Sequence, residues 1–220
     1  MKLSNNLYWY YYEGLKNNCN TIIIKTERCI LIDPGHLWNL ENLLQKIRKD
    51  KINPKKIDFI FNSHSHPDHC ESTEALSKYS KAKISMHELE AKYLQNDGEM
   101  LFKMFELKVP NFNIDFFLED SFVLNGKTLK IIHTPGHSPG SICIYWPEMK
   151  FLICGDLIFA YSFGRTDLPG GDPSLIKKSI EEVSRLDIEY LLPGHGDIIK
   201  GKTDVKNNFD YVLKIIEYNY

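Results

Sequence analysis

Three of the chain's eight histidines fall within six residues, in His64-Ser65-His66-Pro67-Asp68-His69. Imidazole nitrogens and a carboxylate at this density are suitable donors for zinc, iron or manganese, and a solvated loop with coincidental histidines is the weaker account. In locally extended backbone, residues two apart share a side, so His64 and His66 can chelate one ion while Asp68 and His69 face a neighbouring position. Three further polar residues stand beside glycines at expected strand ends: His137 in Thr-Pro-Gly-His-Ser-Pro-Gly, Asp156 in Cys-Gly-Asp and His195 in Pro-Gly-His-Gly. Singly, each reads as a turn. Together they bring the candidate donors to seven, more than one tetrahedral ion requires, and a carboxylate such as Asp156 can bridge two cations about 3.5–4 Å apart. Two adjacent metal positions are the implied arrangement.

The flanking sequence supplies elements that can position these donors. Short β-branched runs at 21–25 and 29–33 predict a hairpin, and 57–61 predicts a buried strand whose carboxyl end runs straight into the histidine cluster. Leu40, Leu43, Leu44 and Ile47 recur at helical spacing after Trp38. Helices are also expected over 71–78 and over 88–105, the latter broken near Asp97 and Gly98, with a strand over 83–86 between them. Asn125-Gly126 between 122–124 and 128–133 predicts a tight hairpin, and 141–146 with 150–154 predicts another strand pair. Asp172-Pro173 is a cap followed by a first-turn proline, opening a helix with Ile176, Ile180 and Val183 on its buried face. A last strand is expected over 189–192, and Phe209, Val212, Leu213 and Ile216 line one face of a terminal helix. The Tyr8–Tyr12 aromatic cluster reads as strand packing in preference to a partner surface. Sheets paired face to face with helices outside are the natural packing for this order.

At 220 residues, 43% of them hydrophobic, the chain is expected to form one domain with a sizeable core. Lys and Arg number 27 against 29 Asp and Glu, which argues against nucleic acid or an anionic membrane as partner. No stretch reaches the roughly 20 apolar residues of a membrane helix. Five widely spaced cysteines, with no secretory segment ahead of them, suggest a reduced, cytoplasmic setting.

The ordered motif set resembles the metallo-β-lactamase superfamily, whose fold is an α+β four-layer αβ/βα sandwich with a metal site at one edge of the sheets. The resemblance covers nearly the whole chain and rests on His-x-His-x-Asp-His at 64–69, then His137, Asp156 and His195. It implies a first metal on His64, His66 and His137, a second on Asp68, His69 and His195, and Asp156 bridging the two. Asp33, in Asp-Pro-Gly, corresponds to an early aspartate that supports the metal loop, and Ser63 keeps a hydroxyl where the pattern often has threonine. The tract Gly164-Arg165-Thr166-Asp167-Leu168-Pro169-Gly170-Gly171 resembles that of small glyoxalase II-like (hydroxyacylglutathione hydrolase-like) enzymes, and a related tract occurs in persulfide dioxygenases. Asp156 stands where cysteine-type lactamases offer a thiolate. Only 25 residues follow His195, so the glutathione contacts made by the helical C-terminal domain of full-length glyoxalase II are not implied.

The resulting expectation is a binuclear metallohydrolase, with zinc first and iron or manganese as alternatives. It would cleave a small-molecule thioester such as S-lactoylglutathione with a metal-held hydroxide positioned by Asp68 and Asp156. A mononuclear iron persulfide dioxygenase using His64, His137 and Asp156 is the second reading. A non-enzymatic metal-stabilised binding module ranks lower, because structural zinc sites are usually closed by four ligands. Arg165 either pairs with a substrate carboxylate or ties Asp167 and Asp172 into a rigid loop. Cys70 is read as a packed helix residue in preference to an extra ligand. His133 either orients the site or makes a strand-end hydrogen bond, and His36 and His87 are assigned no catalytic part.

Overall fold

A computed structural model describes residues Met1–Asn219. The first sheet contains β1 (Leu7–Tyr10), β2 (Thr21–Lys25), β3 (Cys29–Ile32), β4 (Phe59–Phe61), β5 (Lys83–Met86) and β6 (Phe116–Phe117), in that spatial order. The second contains β7 (Ser121–Leu124), β8 (Lys127–His133), β9 (Ile142–Trp146), β10 (Phe151–Gly155), β13 (Tyr190–Pro193) and β14 (Ile199–Lys200), ordered β14-β13-β10-β9-β8-β7. A separate ribbon pairs β11 (Ile158–Phe159) with β12 (Ser162–Phe163). The helices are α1 (Leu40–Lys49), α2 (Pro67–Cys70), α3 (Thr73–Ser80), α4 (Glu88–Leu94), α5 (Glu99–Met104), α6 (Pro173–Val183) and α7 (Lys202–Asn219).

The apolar runs partition into layers according to strand alternation. Ile22, Ile24, Ile30 and Ile32 project between the sheets, where they meet Ile144, Trp146, Ile153 and Leu192. Ile23, Leu31 and Ile60 point the other way, against Leu43, Leu44 and Ile47 of α1 and Leu76 of α3. Burial on both faces explains why β2 reads as an unbroken isoleucine run rather than an alternating one. On the far side of the second sheet, Leu152 and Leu191 pack with Ile176, Ile180 and Val183 of α6 and with Val205, Phe209, Val212 and Ile216 of α7. The result is helices, sheet, sheet, helices, the four-layer α+β sandwich expected from the motifs.

Local chemistry sets the element ends. Asn125 (φ 50°) and Gly126 (φ 75°) form the β7–β8 turn, as the dipeptide predicts. The Asp172 carboxylate accepts from the Ser174 and Leu175 backbone N–H groups, with Pro173 in the first turn of α6. β1 packs on both faces, Trp9 between the sheets and Tyr8 and Tyr10 beneath the helices, which makes it a two-sided buried strand. Two differences from expectation matter here. The helix expected over 71–78 is Thr73–Ser80, and a separate turn, α2, precedes it because Pro67 sits in the first turn after an extended His66 (ψ 148°). The two-residue strands β6, β11, β12 and β14 were not anticipated, being too short to display a period.

Candidate metal centre

All seven candidate donors emerge where strands end. β4 runs into 62–69, which delivers His64 from a bend, His66 on extended backbone, and Asp68 and His69 on α2. The β8–β9 connection carries His137, Asp156 follows β10, and His195 follows β13. These strand ends open at one edge of the sandwich, so four donors come from the first sheet's connections and three from the second's.

The ligating atoms of His64, His66 and His137 lie within 4.8 Å of one another. So do those of Asp68, His69 and His195, and those of His64, His69 and Asp156. Asp156 sits between the two clusters: Oδ1 is 3.2 Å from His69 Nε2, while Oδ2 is 3.5 Å from His195 Nε2 and 3.6 Å from His137 Nε2. His195 Nε2 is 3.1 Å from Asp68 Oδ2 and 3.3 Å from His69 Nε2. The structure therefore brings together every residue that the motifs singled out as a ligand.

The ring orientations follow from hydrogen bonds on the opposite nitrogens. Asp33 is buried at the end of β3, and its Oδ1 accepts from the Ser63 backbone N–H at 2.7 Å. Its Oδ2 accepts from Ser63 Oγ at 2.6 Å and from His69 Nδ1 at 3.0 Å. Because the Ser63 hydroxyl proton is committed to Asp33, Oγ is left to accept from His64 Nδ1 at 3.0 Å. His137 Nδ1 donates to the Arg165 carbonyl at 2.8 Å. Each bond engages Nδ1 and turns Nε2 toward the centre. The Nε2 atoms of His64, His66 and His137 are buried without a hydrogen-bond partner among the described residues. Three orphaned ring nitrogens converging on one point would be costly as they stand, and a divalent cation satisfies them. The donor set fits such an ion.

The electrostatics separate the two clusters. Burial pushes the His64 and His66 imidazoles well below the usual histidine range, and neighbouring imidazoles push the same way, so both are neutral donors. Burial acts in that direction on His69 too, but Asp156, Asp33 and Asp68 outweigh it and raise His69 well above that range. His195 is raised against its burial by Asp156 and Asp68. Burial would raise both carboxyls, yet His69 and His195 hold Asp68 and Asp156 below the ordinary carboxylate range.

Around the donors lies a cleft of about 510 Å³ lined by Leu101, Phe105, Phe159, Phe163 and Leu168, with Asn17 and Arg165 at its polar edge. Arg165 lines this cleft, and its Nε and Nη2 donate to Asp167 at 2.8 and 2.6 Å. Asp172 is not part of that tie, since its carboxylate caps α6. Asn17 Nδ2 donates to Asp68 Oδ2 at 2.6 Å. The sequence reading missed Asn17, an asparagine in a polar segment that no motif marks. His133 Nε2 donates to the Pro139 carbonyl at 2.8 Å, a strand-end bond, and His87 caps α4. Cys70 is buried, its thiol held protonated by desolvation and donating to the Ser65 carbonyl, which fits its reading as a packed residue.

The sequence profile described as Metallo-beta-lactamase superfamily matches residues 15–195. The chain belongs to this superfamily. A probable metallo-hydrolase of Methanocaldococcus jannaschii is 36% identical over 191 residues, covering 84% of this chain and 91% of the relative. The hydroxyacylglutathione hydrolase GloC of Haemophilus influenzae is 31% identical over 194 residues, covering 84% of each. A protein crystallised in a di-iron-bound form superposes with a TM-score of 0.74 at 28% identity, covering 88% of this chain and 94% of that one. Members of the metallo-β-lactamase superfamily are in general hydrolytic metalloenzymes that bind divalent metals. Among the described residues, no helix is long and apolar enough to cross a membrane.

Proposed function

We propose that the chain is a binuclear metallohydrolase that cleaves a small thioester. One cation would be held by His64, His66 and His137 and the other by Asp68, His69 and His195, with Asp156 shared between them. The carrying observation is the convergence of three orphaned, buried Nε2 atoms beside a second donor cluster. Similarity to the Haemophilus influenzae hydroxyacylglutathione hydrolase and to a protein crystallised in a di-iron-bound form supports the substrate class and the metal count. Zinc leads as the metal because imidazole and carboxylate suit it, and iron and manganese share those preferences.

Bound there, divalent cations supply Lewis acidity toward a carbonyl oxygen and lower the pKa of water. The chain's own residues do the rest. Asp68 and Asp156, ionised and held at fixed distances, orient the attacking water and accept hydrogen bonds from it. Asn17 holds Asp68 Oδ2 in place. Asp33 and Ser63 fix the rings of His64 and His69 from behind. Leu101, Phe105, Phe159, Phe163 and Leu168 exclude solvent from the reacting group and receive the acyl chain. Arg165 holds this rim through Asp167 and, through its carbonyl, the His137 ring.

The deciding experiment is elemental analysis of protein purified without added metal, followed by anaerobic assay on S-lactoylglutathione and aerobic assay on glutathione persulfide. Two metals per chain with anaerobic thioester cleavage are expected. One iron per chain with oxygen consumption would replace this reading with the dioxygenase, and metal uptake without turnover of either substrate would favour the binding module. The apolar walls make a further prediction. Across straight-chain acyl thioesters of one thiol, kcat/KM should rise about fourfold per added methylene until the cleft is filled, from about 0.8 kcal/mol per buried CH₂. Phe105→Ala should flatten that series, and a series already flat in the wild type removes the acyl assignment.

A further inference from the structure

Glu90, on α4, is 0% exposed and carries no lysine or arginine partner among the described ion pairs. Its carboxylate is instead satisfied by four donors from two different loops. Oε1 accepts from the Ser65 backbone N–H and from Ser65 Oγ, both at 2.7 Å. Oε2 accepts from Ser138 Oγ at 2.7 Å and from the Gly140 backbone N–H at 2.8 Å. Ser65 stands between His64 and His66, and Ser138 follows His137. One oxygen therefore serves the loop that bears two of the orphaned imidazoles, and the other serves the loop that bears the third.

The contact with the second loop has no slack. A Cβ built on Gly140 would lie 2.2 Å from the Glu90 backbone nitrogen and 2.6 Å from Glu90 Cβ, so only glycine lets this loop approach α4 closely enough for both bonds to Oε2. A buried carboxylate is expensive unless its lone pairs are filled, so each of the four donors is held tightly in turn.

We propose that Glu90 is a positioning residue that sets the spacing between the His64/His66 pair and His137, and so the geometry of the first metal position, without touching metal or substrate. The proposal rests on the metal-centre reading above. It deepens that reading by naming what holds the three imidazoles in register across the two sheets. The clamp bears directly on the first cluster, while the ring of His69 is held separately by Asp33.

The test is titration of chelator-treated, folded protein with Co²⁺, following visible absorption and competition with a chromophoric chelator, with circular dichroism and thermal melts of the metal-free chain alongside. Glu90→Gln preserves volume but turns an amide NH₂ toward one loop, opposite a backbone N–H that cannot accept from it. Wild type should take up two equivalents. In the variant, one of the two should bind about 10- to 100-fold more weakly with an altered absorption band, the other being unchanged, as for other partners that orient metal ligands. A folded Glu90→Gln chain that binds both equivalents as wild type does, or loses both alike, overturns the proposal. If Glu90→Gln fails to fold, Ser138→Ala, which leaves the Gly140 bond intact, is titrated in its place; selective weakening of one equivalent supports the clamp and unchanged binding refutes it. A wild-type chain that takes up no cobalt overturns the metal-centre reading itself, a result distinct from two equivalents bound identically by wild type and variant.

Discussion

Replacing Asp156 by alanine is expected to lower turnover by about 10³-fold or more, because polarising cations contribute several kcal/mol and each 1.36 kcal/mol is about tenfold in rate. Asp156 is the one donor whose two oxygens face both clusters: Oδ1 approaches His69, and Oδ2 approaches His195 and His137. Alanine would remove the one carboxylate that faces both clusters, leaving each with a donor fewer. Metal content and kcat should therefore fall together, as measured by elemental analysis of the folded variant beside a steady-state assay. Full activity in Asp156→Ala would contradict the ligand assignment.

Gly194→Ala should be nearly as damaging, although it alters no donor. A Cβ at this position would lie 2.3 Å from Asp156 Oδ1 and 2.7 Å from His69 Cε1, with the Gly155 backbone carbon behind it at 3.1 Å. The methyl group has nowhere to go except by displacing the Asp156 carboxylate or the His69 imidazole. A misplacement of about 1 Å costs about 10²-fold in rate, so a loss of that order is expected in kcat. It should be accompanied by weakened retention of one metal on dialysis against chelator. A variant with wild-type kcat would show that the chain relaxes around the methyl group and that the predicted crowding has no effect on turnover.

The layered architecture was legible because its elements are periodic or punctuated. Ile176, Ile180 and Val183 mark α6, Asp172-Pro173 marks its start, and Asn125-Gly126 marks the β7–β8 turn. The donors were legible as types and spacings, and folding places all seven at one edge. What surrounds them was less so. Glu90 lies in a charged stretch that helical patterning alone would leave solvated, and its burial depends on the approach of Gly140 from 50 residues away. Asn17 reaches Asp68 across 51 positions with no motif of its own. Arg165 had two readings, and the structure gives its fork to Asp167 while Asp172 caps a helix. Contacts made only by tertiary approach leave no periodic signature.

The division of the seven donors between early and late strands bears on how the protein is born. His69 and His195 end 3.3 Å apart but are separated by 126 positions along the chain. At ribosomal rates of about 5–20 residues per second, roughly 6 to 25 s pass between the emergence of one and of the other. During that interval His64, His66, Asp68 and His69 are without His137, Asp156 and His195, so neither donor cluster is complete. Under the proposed ligand assignment, selection of the cognate ions waits until the second sheet has closed against the first, so metallation follows synthesis rather than guiding it.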